Sequence, residues 1–258
     1  MAPVEITRAE SAKFNRSLLL VHGLWGGAWV WQRMVGYLAH RGWDCFAFAR
    51  PPAGAAPAWT HDALIAELER VARGLSSEPV VVTHDTGLLA AAHLATRLAV
   101  PAIIAVAPIV SPADGGATAR RLFAAPQFWR ARLVGSAPPP RGATARAYLG
   151  AATASSAQLM VDSGPLFRAL ARGRVRLPAR IPCPGLVLSG GRDAISPPSL
   201  GAALASGLGW SHSALPEHGH FPMLETGAKR VADELHRWII RVLGVELLAL
   251  FDEAHEET

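Results

Sequence analysis

The chain has 258 residues, a formal net charge of +5 and a half-hydrophobic composition. That length fits one domain with a large core, and no apolar run reaches the ~18 residues of a membrane-spanning helix. The positive charge comes from scattered arginines, with Lys13 and Lys229 the only lysines, and no basic stripe interleaved with aromatics marks a nucleic-acid surface.

Residues 1–15 mix Glu and Arg and hold no apolar segment of the kind a secretion signal needs. The expected setting is therefore cytoplasmic, with Cys45 and Cys183 as reduced thiols. From there short apolar strands alternate with helical segments, the pattern of a parallel sheet covered on both faces. Ser17–Val21 reads as a strand, Ala28–His40 as a helix with Trp31, Val35 and Leu38 on one face, and Asp44–Ala49 as the next strand. A Pro/Ala/Gly loop spans Arg50–Ala58. Thr60–Leu75 follows as an amphipathic helix, with Leu64, Leu68, Val71 and Leu75 at helical spacing. Pro79–Thr83 is a β-branched strand, Gly87–Leu98 an all-apolar and hence buried helix, and Ala102–Val106 a further strand.

The alternation breaks over 110–180, where Pro138, Pro139 and Pro140 separate short helical pieces such as Thr118–Phe123 and Thr144–Leu149. It resumes with strand Gly185–Ser189, helix Pro198–Ser206, strand Ser211–Leu215 and helix Gly227–Leu243. The expected organisation is thus a core of 1–109 and 181–258 interrupted by an insertion over 110–180. The apolar run Val242–Phe251 lies past the expected end of the last helix. It is expected to cover the core edge, with a homodimer contact as the alternative.

Three segments place chemistry just past strand ends, where open parallel sheets build their sites. In Val80-Val81-Val82-Thr83-His84-Asp85-Thr86-Gly87 a strand runs into a tight turn and then a helix, the context a nucleophile elbow needs. The competing reading is that Asp85 only caps the helix. Ser189-Gly190-Gly191-Arg192-Asp193 puts an acid past a strand, and Pro216-Glu217-His218-Gly219-His220-Phe221-Pro222 puts histidine past the last one. Upstream, Leu18-Leu19-Leu20-Val21-His22-Gly23-Leu24-Trp25-Gly26-Gly27 ends a strand in a glycine-rich loop able to turn a backbone N–H toward a developing oxyanion.

With these four segments in order, the chain resembles the α/β-hydrolase-fold superfamily over nearly its whole length. The resemblance implies a mostly parallel sheet with helices on both faces, the insertion serving as a helical cap. It implies Asp85 at the nucleophile position, Asp193 as the acid that orients the histidine, and His220 as the base. The amides of Leu24 and Thr86 fall at the oxyanion hole, with Trp25 as a substitute or a pocket wall. His220 is preferred over His218 by its Gly-His-Phe-Pro context. His22 reads as a structural loop residue, and His84 as a residue beneath the elbow.

An ionised aspartate needs no deprotonation and suits displacement at saturated carbon. Superfamily members with this nucleophile are epoxide hydrolases and dehalogenases, which pass through an alkyl-enzyme ester. This sequence departs from each. Thr83 stands where glycine is usual, only Tyr148 is a tyrosine within the insertion, and Thr86 replaces the Trp or Arg that follows the nucleophile in dehalogenases. The loop Leu24-Trp25-Gly26 resembles that of serine esterases and hydroxynitrile lyases. Trp129 and Tyr148 are candidate donors from the cap, with core packing their expected role. The reading is a hydrolase of a small apolar substrate, with epoxide opening ahead of dehalogenation and no metal or organic cofactor. The alternatives are a non-hydrolytic acid–base enzyme of cyclase or lyase type using Asp85 and His220, and a catalytically dead small-ligand binder.

Overall fold

The structure, a computed structural model, describes residues 4–50, 59–111, 120, 122–123, 135–154 and 156–248. The central sheet has seven strands: β1 (Val4–Thr7), β2 (Leu18–Val21), β3 (Cys45–Phe48), β4 (Val80–His84), β5 (Ile103–Val106), β8 (Gly185–Gly190) and β9 (Ser211–Leu215). Their spatial order is β1-β3-β2-β4-β5-β8-β9. All pairs are parallel except β1 with β3. Every residue of β2, β3, β4, β5 and β8 is buried, which is why these strands read as unbroken apolar runs rather than as alternations.

Helices α1 (Gln32–His40), α2 (His61–Arg73), α3 (Gly87–Leu94), α6 (Pro198–Leu208) and α7 (Ala228–Leu248) belong with the sheet; α4 (Gly142–Leu149) and α5 (Gly164–Ala171) lie within the segment expected to form the cap. That segment also contributes a two-stranded antiparallel ribbon, β6 (Ser136–Ala137) with β7 (Asp162–Ser163), and among the described residues no strand of the central sheet. Helix α2 starts where Thr60 accepts the Ala63 amide at 3.1 Å, a side-chain cap that replaces one unmet backbone bond.

Several expectations need correction. Ala28–Trp31 is a 3₁₀ turn, and only Gln32–His40 is α-helical. Helix α3 ends at Leu94, four residues early. The last helix continues to Leu248, so most of the Val242–Phe251 run is helix. Leu243 and Leu247, one turn apart, face the core; residues 249–258 lie outside the described residues. Strand β1 went unread because VEIT is only four residues long, at a sheet edge where its apolar Ile6 is 54% exposed and only its two ends are half-buried.

Strand β2 is flanked by β3 on one side and by β4 on the other. The chain leaves β2 in one direction and returns past it, so the strand order reverses between β2 and β4. A crevice opens beyond the carboxyl ends of two strands at such a reversal. The Gly23–Trp25 loop follows β2, and Asp85 follows β4.

Candidate active site

Asp85 sits between β4 and α3 with φ of +55°, a left-handed conformation rare for a side-chain-bearing residue. Such a residue costs about 1–3 kcal/mol and persists only where its surroundings fix it. Here its amide donates to the Val106 carbonyl at 3.2 Å and its carbonyl accepts from the Ile109 amide at 3.2 Å. The turn closes because its neighbours are small. A Cβ on Gly87 would lie 2.8 Å from the Val21 carbonyl oxygen, and one on Gly23 would lie 2.4 Å from the Asp85 Cβ. Thr83 is accommodated by donating its hydroxyl to the Ile104 carbonyl of the next strand, 3.3 Å away. The N-cap residue of α3 is Thr86, without a side-chain cap bond; Asp85 therefore does not serve as a cap.

The three residues expected to converge do so. His220 Nε2 lies 3.9 Å from Asp85 Oδ2, an ion-pair distance rather than a hydrogen bond. On its other side His220 Nδ1 meets Asp193 Oδ2 at 2.9 Å. Asp193 Oδ1 accepts the amides of Ile195 (2.7 Å) and Ser196 (2.9 Å). Only a proton donor on Nδ1 satisfies that geometry, so Nε2 faces Asp85. All three side chains are buried.

Tyr148 comes from α4 and is 0% exposed, and it does more than fill the core as expected. Its hydroxyl lies 2.7 Å from Asp85 Oδ2 and 3.1 Å from the Leu24 carbonyl. Its single proton goes to the nearer, charged oxygen. Among the described residues Asp85 Oδ1 has no hydrogen-bond partner. Trp129 lies outside the described residues.

Burial works against charge on Asp85, yet the His220 ring, His84 and the Tyr148 hydroxyl hold its carboxyl below the ordinary range. Burial likewise opposes an imidazolium at His220, but Asp193 and Asp85 overcome it and push the ring up to about 10. Burial and the adjacent Asp85 raise Tyr148 well above the usual phenol value. The resting site is thus carboxylate, imidazolium and neutral phenol. His84 is pushed down to about 4, chiefly by burial and by the nearby His220; its Nε2 donates to the His220 carbonyl at 2.9 Å, beneath the elbow as expected.

Among the described residues the Leu24 and Thr86 amides carry no hydrogen bond, as an oxyanion donor requires. The Trp25 amide differs: it donates to Asp162 Oδ2 at 3.0 Å. Trp25 is therefore not a substitute donor. Its ring packs edge-on to Tyr148, with centroids 5.5 Å apart, as a wall. His22 is a loop residue: Nδ1 donates to the Gly23 carbonyl at 2.8 Å, and Nε2 accepts the Arg50 amide at 3.2 Å. His218 is buried away from the pair, against Gly227.

Two residues escaped sequence reasoning. Arg50 and Asp162 form a buried ion pair of 2.7 Å, each side chain 5% exposed. Arg50 follows an apolar strand and opens a Pro/Ala/Gly loop, and a lone charge at the end of a buried strand was the available signal. Beside the site, a cavity of about 230 Å³ is lined by Ile109, Val110, Ile195, Leu200 and Leu204 among others. Among the described residues no group of three or more His, Cys, Asp or Glu is placed to hold a metal. No described helix is long and apolar enough to cross a membrane.

This elbow, acid turn and histidine loop on a mostly parallel sheet define a class, and residues 18–234 match the family described as the alpha/beta hydrolase family. The chain belongs to that family. The solved structures similar to it include two lipases and an esterase. A monoacylglycerol lipase of Paleococcus ferrophilus shares 17% identity at a TM-score of 0.71, over 93% of this chain and 99% of its own. A thermophilic esterase of Thermogutta terrifontis shares 22% at 0.68, over 93% of each. A monoglyceride lipase of Saccharomyces cerevisiae, as a soluble variant, shares 15% at 0.66, over 91% of this chain and 90% of its own. At these identities the likeness is one of fold. No curated protein matches the chain in sequence.

Proposed function

We propose that the protein hydrolyses a small apolar electrophile through an ester formed on Asp85, and that the electrophile is an epoxide rather than an alkyl halide. The observation that carries this reading is the Tyr148 hydroxyl on Asp85 Oδ2 with the His220 ring 3.9 Å from the same oxygen. A carboxylate with one unbonded oxygen is a ready nucleophile, and two proton-bearing groups stand beside the oxygen that an opening epoxide would release. A departing halide needs no proton, so Tyr148 would have no leaving group to protonate in dehalogenation, where His220 would serve only the later hydrolysis of the ester.

The charges give an order of events. Asp85 attacks the epoxide carbon, the C–O bond breaks, and the alkoxide takes a proton from Tyr148, which His220 restores. Alkylation removes the Asp85 charge that helps keep the ring protonated, so His220 enters the second step neutral, as a base. It takes a proton from water, the hydroxide adds to the ester carbonyl, and the oxyanion falls to the free Leu24 and Thr86 amides. Collapse expels the diol, which takes a proton from His220. The Asp85 carboxylic acid then returns its proton to the ring, and the resting charges are restored.

The test is single-turnover hydrolysis in H₂¹⁸O, with mass spectrometry of the protein and of the product. Heavy oxygen belongs in the Asp85 carboxylate on the first turnover. His220→Ala should accumulate an adduct of substrate mass, and Asp85→Asn should neither react nor turn over. Heavy oxygen in the first-turnover diol, with no adduct in any variant, would end the reading. A second reading has its own support. The Tyr148 bond engages Asp85 as one end of a proton relay, which favours acid–base chemistry without an adduct; deuterium from solvent at a product carbon would select it.

A further inference from the structure

The Gly23–Trp25 loop is built from glycine and two large apolar residues, and nothing in that composition fixes its path. Trp25 has φ of +53°, the left-handed region that a tryptophan avoids. What holds it comes from elsewhere in the chain. The Gly23 carbonyl accepts from Arg50 Nη2 at 2.6 Å. The Leu24 carbonyl lies 3.1 Å from the Tyr148 hydroxyl. The Trp25 amide donates to Asp162 Oδ2 at 3.0 Å, and the Trp25 carbonyl accepts the Met160 amide at 2.9 Å. Gly27 keeps Met160 close: a Cβ there would sit 3.0 Å from its sulfur.

Apart from the adjacent His22 ring, whose Nδ1 also donates to the Gly23 carbonyl at 2.8 Å, the bonds named here that shape this loop end on Arg50 or on residues 148–162. Asp162 Oδ2 accepts both the Trp25 amide and Arg50 Nη2, the latter at 2.7 Å, while Oδ1 accepts the Ser163 amide at 2.7 Å. An exposed ion pair would hold a loop weakly, but a buried one with its oxygens fully bonded resists displacement, because each half is costly to leave alone.

We infer that Arg50 and Asp162 are a positioning pair through which docking of Tyr148 and residues 160–163 sets the Gly23–Trp25 backbone, and with it the direction of the free Leu24 amide. Neither side chain reaches the reacting atoms. These residues template one wall of the site. The loop-shaping role stands on the bonds above, and only its catalytic consequence rests on the ester reading.

Hydrogen exchange resolved by residue tests it. Arg50→Met removes bonds to Gly23 and Asp162 but touches neither the Trp25 nor the Met160 amide. Both should exchange about tenfold faster or more, while amides of Leu18–Val21 and Val80–His84 keep their protection. Arg50→Lys, which retains the charge, should recover part of the loss. Should Arg50→Met fail to fold, Arg50→Met/Asp162→Leu removes both charges together, and the Met160 amide remains the reporter. Unchanged exchange at Met160 in a folded variant overturns the inference; so does a loss of protection spread equally over the sheet strands. In turnover, Arg50→Met should lower kcat at least tenfold with KM nearly unchanged. If the ester reading fails, that kinetic arm falls and the exchange arm still decides.

Discussion

Asp85 presents one oxygen to Tyr148 and leaves the other unbonded, and this asymmetry sets what single substitutions should do. Tyr148→Phe removes a general acid without opening a cavity. Burst-phase mass spectrometry should show adduct formation from an epoxide slowed by about 10²–10⁴-fold, while an alkyl halide of similar size should lose far less. His220 gives a prediction in pH. Its ring is pushed up to about 10 in the fold against burial, by Asp193 and Asp85. A raised value means stability fully present below the unfolded ring's ordinary value of about 6.5 and lost as pH climbs through the folded one. The stability gap between wild type and His220→Gln, from denaturant titration, should therefore be wide at pH 6 and narrow by pH 10. A gap constant with pH would mean that the ring is not charged in the resting site. Asp85 works with the opposite sign: depressed in the fold, its contribution fades as pH falls through the carboxylate range.

Elements explain why some of this was legible in the sequence and some was not. Strands β2, β4, β5 and β8 announce themselves as buried apolar runs, and Asp85, Asp193 and His220 each follow a strand end, so local pattern located them. Strands β6 and β7 are two residues each and have no periodicity to read. The role of Tyr148 could not be read either, because its partner lies 63 residues away, and Arg50 and Asp162 lie 112 apart. Glycines show the same divide between local and tertiary information. Gly36 is exposed in the middle of α1 with nothing within 4 Å of a prospective Cβ. Gly36→Ala should raise stability by about 0.5–1 kcal/mol through helix propensity alone. Gly87 opens α3 against the backbone of Val21 and His22. Gly87→Ala should cost about 1–3 kcal/mol and displace the elbow, with activity lost further than stability. Thermal unfolding of the two variants separates the cases, since a propensity argument alone predicts a gain for both.

At the scale of the whole molecule, α7 returns the chain to its beginning. Leu247 is 1% exposed, and Asn15 donates its side-chain amide to the Glu246 carbonyl at 3.0 Å. Ending the chain after Leu243 should therefore cost about 2 kcal/mol or more from the lost burial of Leu247 and lower the Tm. Light scattering should find the oligomeric state unchanged; a parent dimer that becomes monomeric would instead restore the contact reading of this segment.

The long reach of the central bonds also has a meaning in time. Tyr148 meets Asp85 across 63 residues, Asp162 meets Arg50 across 112 and Trp25 across 137. While the chain is being made, the left-handed turn at Asp85 is present in sequence long before anything exists to hold its carboxylate. Residues so far apart meet late, because loop closure must precede the contacts that reward it. In refolding, the helical circular-dichroism signal should return first, the aromatic signal of the Trp25–Tyr148 contact later, and turnover with the second of these.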